Sequence, residues 1–448
     1  MAGVVKRRWA YSIALAAALV SLMACSGLPG ITAAPAADEA EQPGPGQPGT
    51  LAIVGTDGNI YLHEIGGEPQ PITIDAETPG GPAYSDPSWS PAGWLSYVGV
   101  TRSGDQAEVS IYALAPGSVE PLTVQTASSG YVYGYWSPAP CEGPPDCARF
   151  AYLLSPGREV ELNMATVSSD PTAAPQTHTL SRSAQHYYSW SPDGENMLWL
   201  RDGSELAVYS VADDAILERF SDEMGRFQAP VWSPVDNRWL YARAAGRSSQ
   251  ITVRSGSERL TIGSSLAGMA HFGWSPDGTY VAYGAGSSTI DRLVIARADG
   301  SSETVVQGLG SIVAFFWSPD STRLAAVTIE EPEPDLQQAA SGVQARPALQ
   351  GEAPHLVFVW YSIDAASGES VRLAEFVPTD QQLYILQFFD QYAQSHRVWS
   401  ADSRYIVYAE KRLEAPSWVR LIDTQNPDDT PAEVMQGVQA IFSFAPAG

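Results

Sequence analysis

The stretch Trp274-Ser-Pro-Asp-Gly-Thr-Tyr-Val-Ala-Tyr-Gly284 runs on into Asp291-Arg-Leu-Val-Ile-Ala-Arg-Ala-Asp-Gly300 and Glu303-Thr-Val-Val306. It contains a tryptophan, a turn, and three further apolar runs separated by turn residues. The turn has a local cause. Proline presets φ, the aspartate side chain accepts from a nearby amide, and glycine takes the positive φ that closes the hairpin. Four short strands per unit is the content of one β-propeller blade. The unit at Trp190 matches it step for step, with Pro192-Asp-Gly, Met197-Leu-Trp-Leu, Leu206-Ala-Val-Tyr-Ser and Ala215-Ile-Leu.

Trp-Ser recurs seven times, at Trp89, Trp136, Trp190, Trp232, Trp274, Trp317 and Trp399. Repetition at this period marks a stacked-repeat architecture. With both sheet faces covered by neighbours, each tryptophan is expected as an inter-blade core residue. The interval after Trp317 is 82 residues, yet it holds only about five strand-like runs. These are Leu324–Ile329, Leu356–Ile363, Val371–Val377, Tyr384–Phe389 and Arg397–Trp399. It therefore reads as one blade with two insertions, an acidic Glu/Pro/Gln/Ala-rich loop at 330–354 and an extended connection near Gln381 to Ser395.

The two ends complement each other. Residues 51–74 supply three strands with no Trp-Ser strand before them, and Phe442-Ser-Phe-Ala-Pro stands at the other end where Trp-Ser-Pro is expected. Pairing the N- and C-terminal strands would complete a last blade and remove exposed edges. The expectation is an all-β propeller over residues 50–448, built of four-stranded blades, eight in number with seven as the alternative. Trp-Ser-Pro-Asp-Gly followed by an apolar run, as at Trp190 and Trp274, resembles the WD40-like repeats of TolB-type propellers. The resemblance covers roughly residues 51–446 and implies the repeat class rather than a function. TolB-type proteins carry an additional N-terminal domain that has no counterpart here, so a role in a Tol-Pal system does not follow.

Residues 1–24 read as an export signal. Lys6, Arg7 and Arg8 precede an apolar stretch from Trp9 to Met23, too short for a comfortable membrane span. The segment closes on Leu22-Met23-Ala24-Cys25, which resembles the bacterial lipobox and implies lipid attachment at Cys25. Residues 25–49 are rich in Pro, Gly and Ala and read as a tether. Cys141 and Cys147 flank Glu-Gly-Pro-Pro-Asp and are expected to form a disulfide in an oxidising compartment. A net charge of −25 argues against nucleic acid or an anionic membrane surface as a partner.

Signals for catalysis are thin. The Gly-x-Ser-x-Gly elbow of a hydrolase is absent, and Gly263-Ser-Ser-Leu-Ala misses it by one residue. The histidines are scattered without His-Glu-x-x-His spacing, although His186, His271 and His396 each lie three or four residues before a repeat tryptophan. No metal or cofactor is expected, and no catalytic residue is assigned. The most individual stretch is Tyr384-Ile-Leu-Gln-Phe-Phe-Asp-Gln-Tyr-Ala-Gln-Ser-His-Arg-Val-Trp399. Tyr384, Phe388, Phe389, Tyr392, His396 and Arg397 are expected to form a recognition surface at one propeller face, for a protein or a small ligand. The reading is a membrane-anchored binding scaffold without catalysis. The alternatives are a lactonase- or lyase-like enzyme at the channel mouth and a scaffold subunit of an envelope complex.

Overall fold

The computed structural model describes residues 48–104, 106–142, 146–170, 172–225, 229–266, 270–285, 290–330, 357–412 and 415–444. The signal segment, Cys25, the tether through residue 47 and nearly all of the 330–354 loop lie outside them. Among the described residues no helix is long and apolar enough to cross a membrane.

The described chain is an all-β propeller. Six sheets have four antiparallel strands in sequence order, and their first strands end at Trp89, Trp136, Trp190, Trp232, Trp274 and Trp317. The blade at Trp274 shows how sequence becomes structure. Ser275 Oγ accepts from Tyr280 N–H at 2.9 Å and donates to Asp277, whose carboxylate accepts from Thr279 N–H at 3.0 Å. Gly278 N–H donates to Ser275 O at 2.9 Å, with φ at +67°. A side chain there would press to 2.4 Å from Val235 Cγ2, in the turn of the preceding blade. Where serine replaces this glycine, at Ser321 and Ser403, φ stays positive at 63° and 59°. Both serines fit because they reach across to the preceding turn. Ser321 Oγ accepts from Asp277 N–H and Ser403 Oγ from Asp320 N–H, each at 3.0 Å.

The blade count corrects the sequence expectation. There are seven sheets, not eight, because the segments assigned to two terminal blades form one six-stranded sheet. Its strand order is Tyr405–Arg412, Ala415–Asp423, Ala432–Phe442, Thr50–Gly55, Ile60–Glu64 and Gln70–Pro71. The cause is the unbroken strand Ala432–Phe442. Its first half pairs with Ala415–Asp423, through Trp418 opposite Gln436, and its second half pairs with Thr50–Gly55, through Leu51 opposite Phe442. Gly437 sits at the changeover, where a Cβ would come within 2.9 Å of both Val419 Cγ2 and Val54 O. The separate blade expected from the two chain ends is therefore absent. The N-terminal hairpin is instead bonded onto a strand that also serves the preceding hairpin.

A second correction concerns Tyr384–Phe389, read above as a strand. The chain forms helix α1 (Asp380–Gln387) followed by the short helix α2 (Phe389–Tyr392). Thr379 caps α1, its Oγ1 accepting from Gln382 N–H at 3.1 Å, and Asp380 lies in the first turn, as the helix dipole favours. Gln382, Ile385, Leu386, Phe389 and Tyr392 are buried while Tyr384, Gln387 and Phe388 are exposed, which is a helical stripe rather than an alternation. Gln382 Oε1 accepts from Ala409 N–H at 3.2 Å and ties α1 to the terminal sheet.

Candidate functional site: the aromatic channel

All seven repeat tryptophans line one cavity of about 380 Å³ at the centre of the propeller. Four of them also stitch neighbouring blades together. Trp136, Trp274, Trp317 and Trp399 donate their indole N–H to the carbonyls of Ser88, Val231, Gly273 and Phe316, at 2.9 to 3.2 Å. Each acceptor is the residue just before the preceding blade's tryptophan. Trp232 bonds within its own turn, to Asp236 O, and the indole nitrogens of Trp89 and Trp190 have no partner among the described residues. Four of these indoles thus bond across blades, and the same rings form the channel wall, which the sequence reading missed.

Pro91, Pro138, Pro192, Pro234 and Pro276, from the Trp-Ser-Pro turns, complete the rim. Pro91, Pro138 and Pro234 are exposed, so the cavity opens on the turn-bearing face. The opposite end is plugged by α2. Phe389 packs against His271, Phe315 and Phe316 with centroids 4.8 to 6.2 Å apart. Tyr392 meets Tyr133 edge-on at 5.2 Å, and the Tyr133 hydroxyl donates to Gln391 O at 2.6 Å. Gln394 Oε1 accepts from both Tyr135 and Ser189, at 3.0 Å each.

This placement divides the residues expected at a recognition face. Phe389 and Tyr392 are each 2% exposed and belong to the core, and His396 is buried as well. Only Tyr384 and Phe388, at 46% and 40% exposure, face solvent. Phe389, His396 and Arg397 do line the channel, but from within, as part of its floor. The apolar helical stripe was the available signal, and it was read with the wrong period.

Polar groups on the floor sit in unusual surroundings. Burial raises the Asp390 carboxyl to about 6, although backbone N–H groups of Gln391 and Ala229 donate to it. Burial lowers His396 to about 3, leaving it neutral, and its Nδ1 meets Ser395 Oγ at 2.8 Å. His186 and His271 are likewise held neutral by burial, at about 4. Burial also lowers the Arg397 guanidinium, to about 10. Its contacts are one long hydrogen bond, 3.4 Å from Nη1 to Phe444 O, and the Phe444 ring at 4.5 Å. No carboxylate pairs with it among the described residues.

No group of three or more His, Cys, Asp or Glu side chains is arranged to hold a metal ion among the described residues. Cys141 and Cys147 are joined in a disulfide, with Cα atoms 5.2 Å apart, in the connection between the first and second strands of the Trp136 blade.

No family model matches the chain, and no curated protein matches it. Solved structures do. An oligogalacturonate lyase in complex with manganese is similar at a TM-score of 0.47 and 13% identity, over 78% of this chain and 86% of that one. TolB from Acinetobacter baumannii gives 0.37 and 14%, over 79% and 82%. A prolyl endopeptidase gives 0.50 and 10%, over 81% of this chain and half of that one. At such identities the likeness is one of β-propeller fold alone.

Proposed function

We propose that this chain is an exported bacterial lipoprotein, held at a membrane through Cys25, whose TolB-like propeller binds a ligand in its channel without transforming it. One observation supports the channel as the site above all. Seven indoles surround a cavity also lined by the partly buried Arg397 guanidinium, with which no carboxylate pairs among the described residues. Burying a charge unpaired is costly, and a carboxylate satisfies the guanidinium's fork in two hydrogen bonds. The ligand is accordingly an apolar or aromatic body bearing a carboxylate or a similar oxyanion, the body against the tryptophans and the charge on Arg397. The net charge of −25 slows the approach of such an anion but does not oppose its final contact, since exposed charges are screened beyond roughly 8 Å.

The charged or titratable groups facing this cavity are Tyr135, Asp390, His396 and Arg397, and burial raises the Tyr135 hydroxyl so that it stays neutral. Asp390 is ionised above about 6 and repels an anion there, so affinity should rise as the pH falls through that value. Hexanoate, compared with 1-hexanol, is a suitable probe, read by the fluorescence of the channel tryptophans. A saturable response to hexanoate, stronger at pH 5.5 than at pH 8 and lost in Arg397→Met, is the expected result. Equal responses to both probes, or none to either, would overturn the reading. The anchor has its own test, because Cys25→Ser should abolish lipid labelling and release the protein from membranes.

A further inference from the structure

On the face closed by α1 and α2, a second hollow of about 320 Å³ lies beside the plug. It is separate from the channel, and its chemistry has the opposite sign. Asp86 sits in the first strand of the Trp89 blade, Ala83–Trp89, where the pairing register slips between Ser85 and Ser88. Its φ is +52° and Pro87 follows it. A non-glycine residue rarely adopts positive φ, and a following proline restricts it further. Such strain persists where surroundings enforce it, and it clusters at ligand sites.

The Asp86 carboxylate receives one hydrogen bond of the side-chain kind, from the adjacent Ser85 Oγ at 2.6 Å. No cation pairs with it among the described residues, and burial raises its carboxyl above the usual range. Asp380, also at the rim, is already paired with Lys411 Nζ at 2.6 Å. Three tyrosines shape the hollow, Tyr131, Tyr384 and Tyr392, and the charge of Asp86 bears on all three hydroxyls. The Tyr392 hydroxyl is the second observation. Tyr392 lines the hollow, and its hydroxyl is buried with no hydrogen bond of ordinary geometry among the described residues, Tyr384 being its neighbour at 5.8 Å between ring centroids.

A carboxylate lacking a cation, an idle hydroxyl oxygen and aromatic faces make a consistent set. Their common complement is a compact cation with several N–H donors. An ammonium donates to Asp86 and to Tyr392 Oη while its charge rests against electron-rich rings. An anion is disfavoured by two carboxylates at the rim. A guanidinium is too wide to point all its donors at one carboxylate and one hydroxyl. We propose that the hollow framed by Asp86, Tyr131, Tyr384 and Tyr392 binds a primary alkylammonium group, from a free amine or from a lysine side chain.

The full chain is titrated calorimetrically with n-butylammonium and with Nα-acetyl-lysine methylamide, using 1-butanol as the neutral control. Binding of either ammonium but not of butanol supports the site, and the tighter of the two names its natural source. Asp86→Asn should weaken the ammonium at least about tenfold, a loss of roughly 1.4 kcal/mol. Tyr392→Phe should weaken it a few-fold. Asp86→Gly separates binding from folding, since glycine accepts the positive φ without strain. It should melt no lower than the parent protein and still fail to bind. No ammonium binding by the parent, or equal binding by Asp86→Asn, overturns the proposal, as does an Asp86→Gly variant that melts lower yet binds unchanged.

Discussion

The two ends of the channel are built by different rules. The turn-bearing end is made by repetition, with a tryptophan from each of seven units and a proline from five of them converging on one rim. The plugged end is made by a single non-repeating segment, Thr379 to Arg397, that no other unit contains. Repetition produces the wall and explains its symmetry. The unique segment supplies Asp390, Gln394, His396 and Arg397, and so decides what the wall encloses. In a propeller of this kind, chemical individuality is best sought where the period fails.

Variants at the plug and in the wall can break or sharpen this contrast. Phe389→Ala removes a buried ring packed against three aromatic neighbours and should cost about 3–5 kcal/mol in urea unfolding, whereas exposed Tyr384→Ala should cost under about 0.5 kcal/mol. Equal effects would mean that α2 does not pack as a plug.

Asp390 gives the next largest effect, and one that depends on pH. Its folded value of about 6 exceeds the unfolded value of 3.8, so stability is greatest below the latter and declines as the pH rises through the former. Asp390→Asn should therefore be more stable than the parent by about 2–3 kcal/mol at pH 8, with the difference gone by pH 4. His186, His271 and His396 act in the other direction. Their folded values lie below 6.5, so their contribution is complete above that pH and is lost as the pH falls toward 4 and below. A parent protein that gains stability steadily from pH 4 to pH 8 would fit the histidines alone and remove Asp390 from the account.

The wall itself makes a finer prediction. Trp274→Phe and Trp190→Phe remove the same atoms, but only Trp274 donates its indole N–H to a neighbouring blade. Trp274→Phe should be the more destabilising by about 1 kcal/mol. The smallest effect is expected at Ser321→Gly, where the loss of the bond to Asp277 N–H is offset by relief of the positive φ, leaving a net change within about 0.5 kcal/mol.

Much of the architecture was legible because its causes are local. Ser-Pro-Asp-Gly specifies its own hairpin, and the apolar runs after it have the length and composition of short strands. The placement of tryptophan between blades followed from the need to cover both sheet faces. Less local features were not legible. The run from Gly437 was expected to complete a last blade with the N-terminal strands, and nothing in its composition says that the strand starts at Ala432 and that its two halves serve different partners. Gly437 marks the changeover, but a lone glycine in an apolar run carries no such message without the strands on either side. Tyr384–Phe389 failed for another reason. Ile-Leu and Phe-Phe satisfy a strand pattern as well as a helical one, and the deciding cue, Thr379-Asp380 as a helix start, lay upstream of the run. The channel-facing role of the tryptophans, and the approach of Asp86 to Tyr392, depend on contacts between residues hundreds of positions apart.

The strand Thr50–Gly55 has a mechanical consequence. It is the first strand of the propeller, it is hydrogen-bonded along both edges, and Thr50 N–H and O are further tied to Ser443 Oγ and N–H at 3.0 and 2.8 Å. A pull transmitted along the chain from residue 48 is therefore shared by two ladders at once, instead of opening one bond after another like a zip. Ala401 N–H adds a clamp on Pro48 O at 3.0 Å, just ahead of that strand. The N-terminal edge of the described chain is thus a place that resists shear, because several hydrogen bonds must break together before it yields.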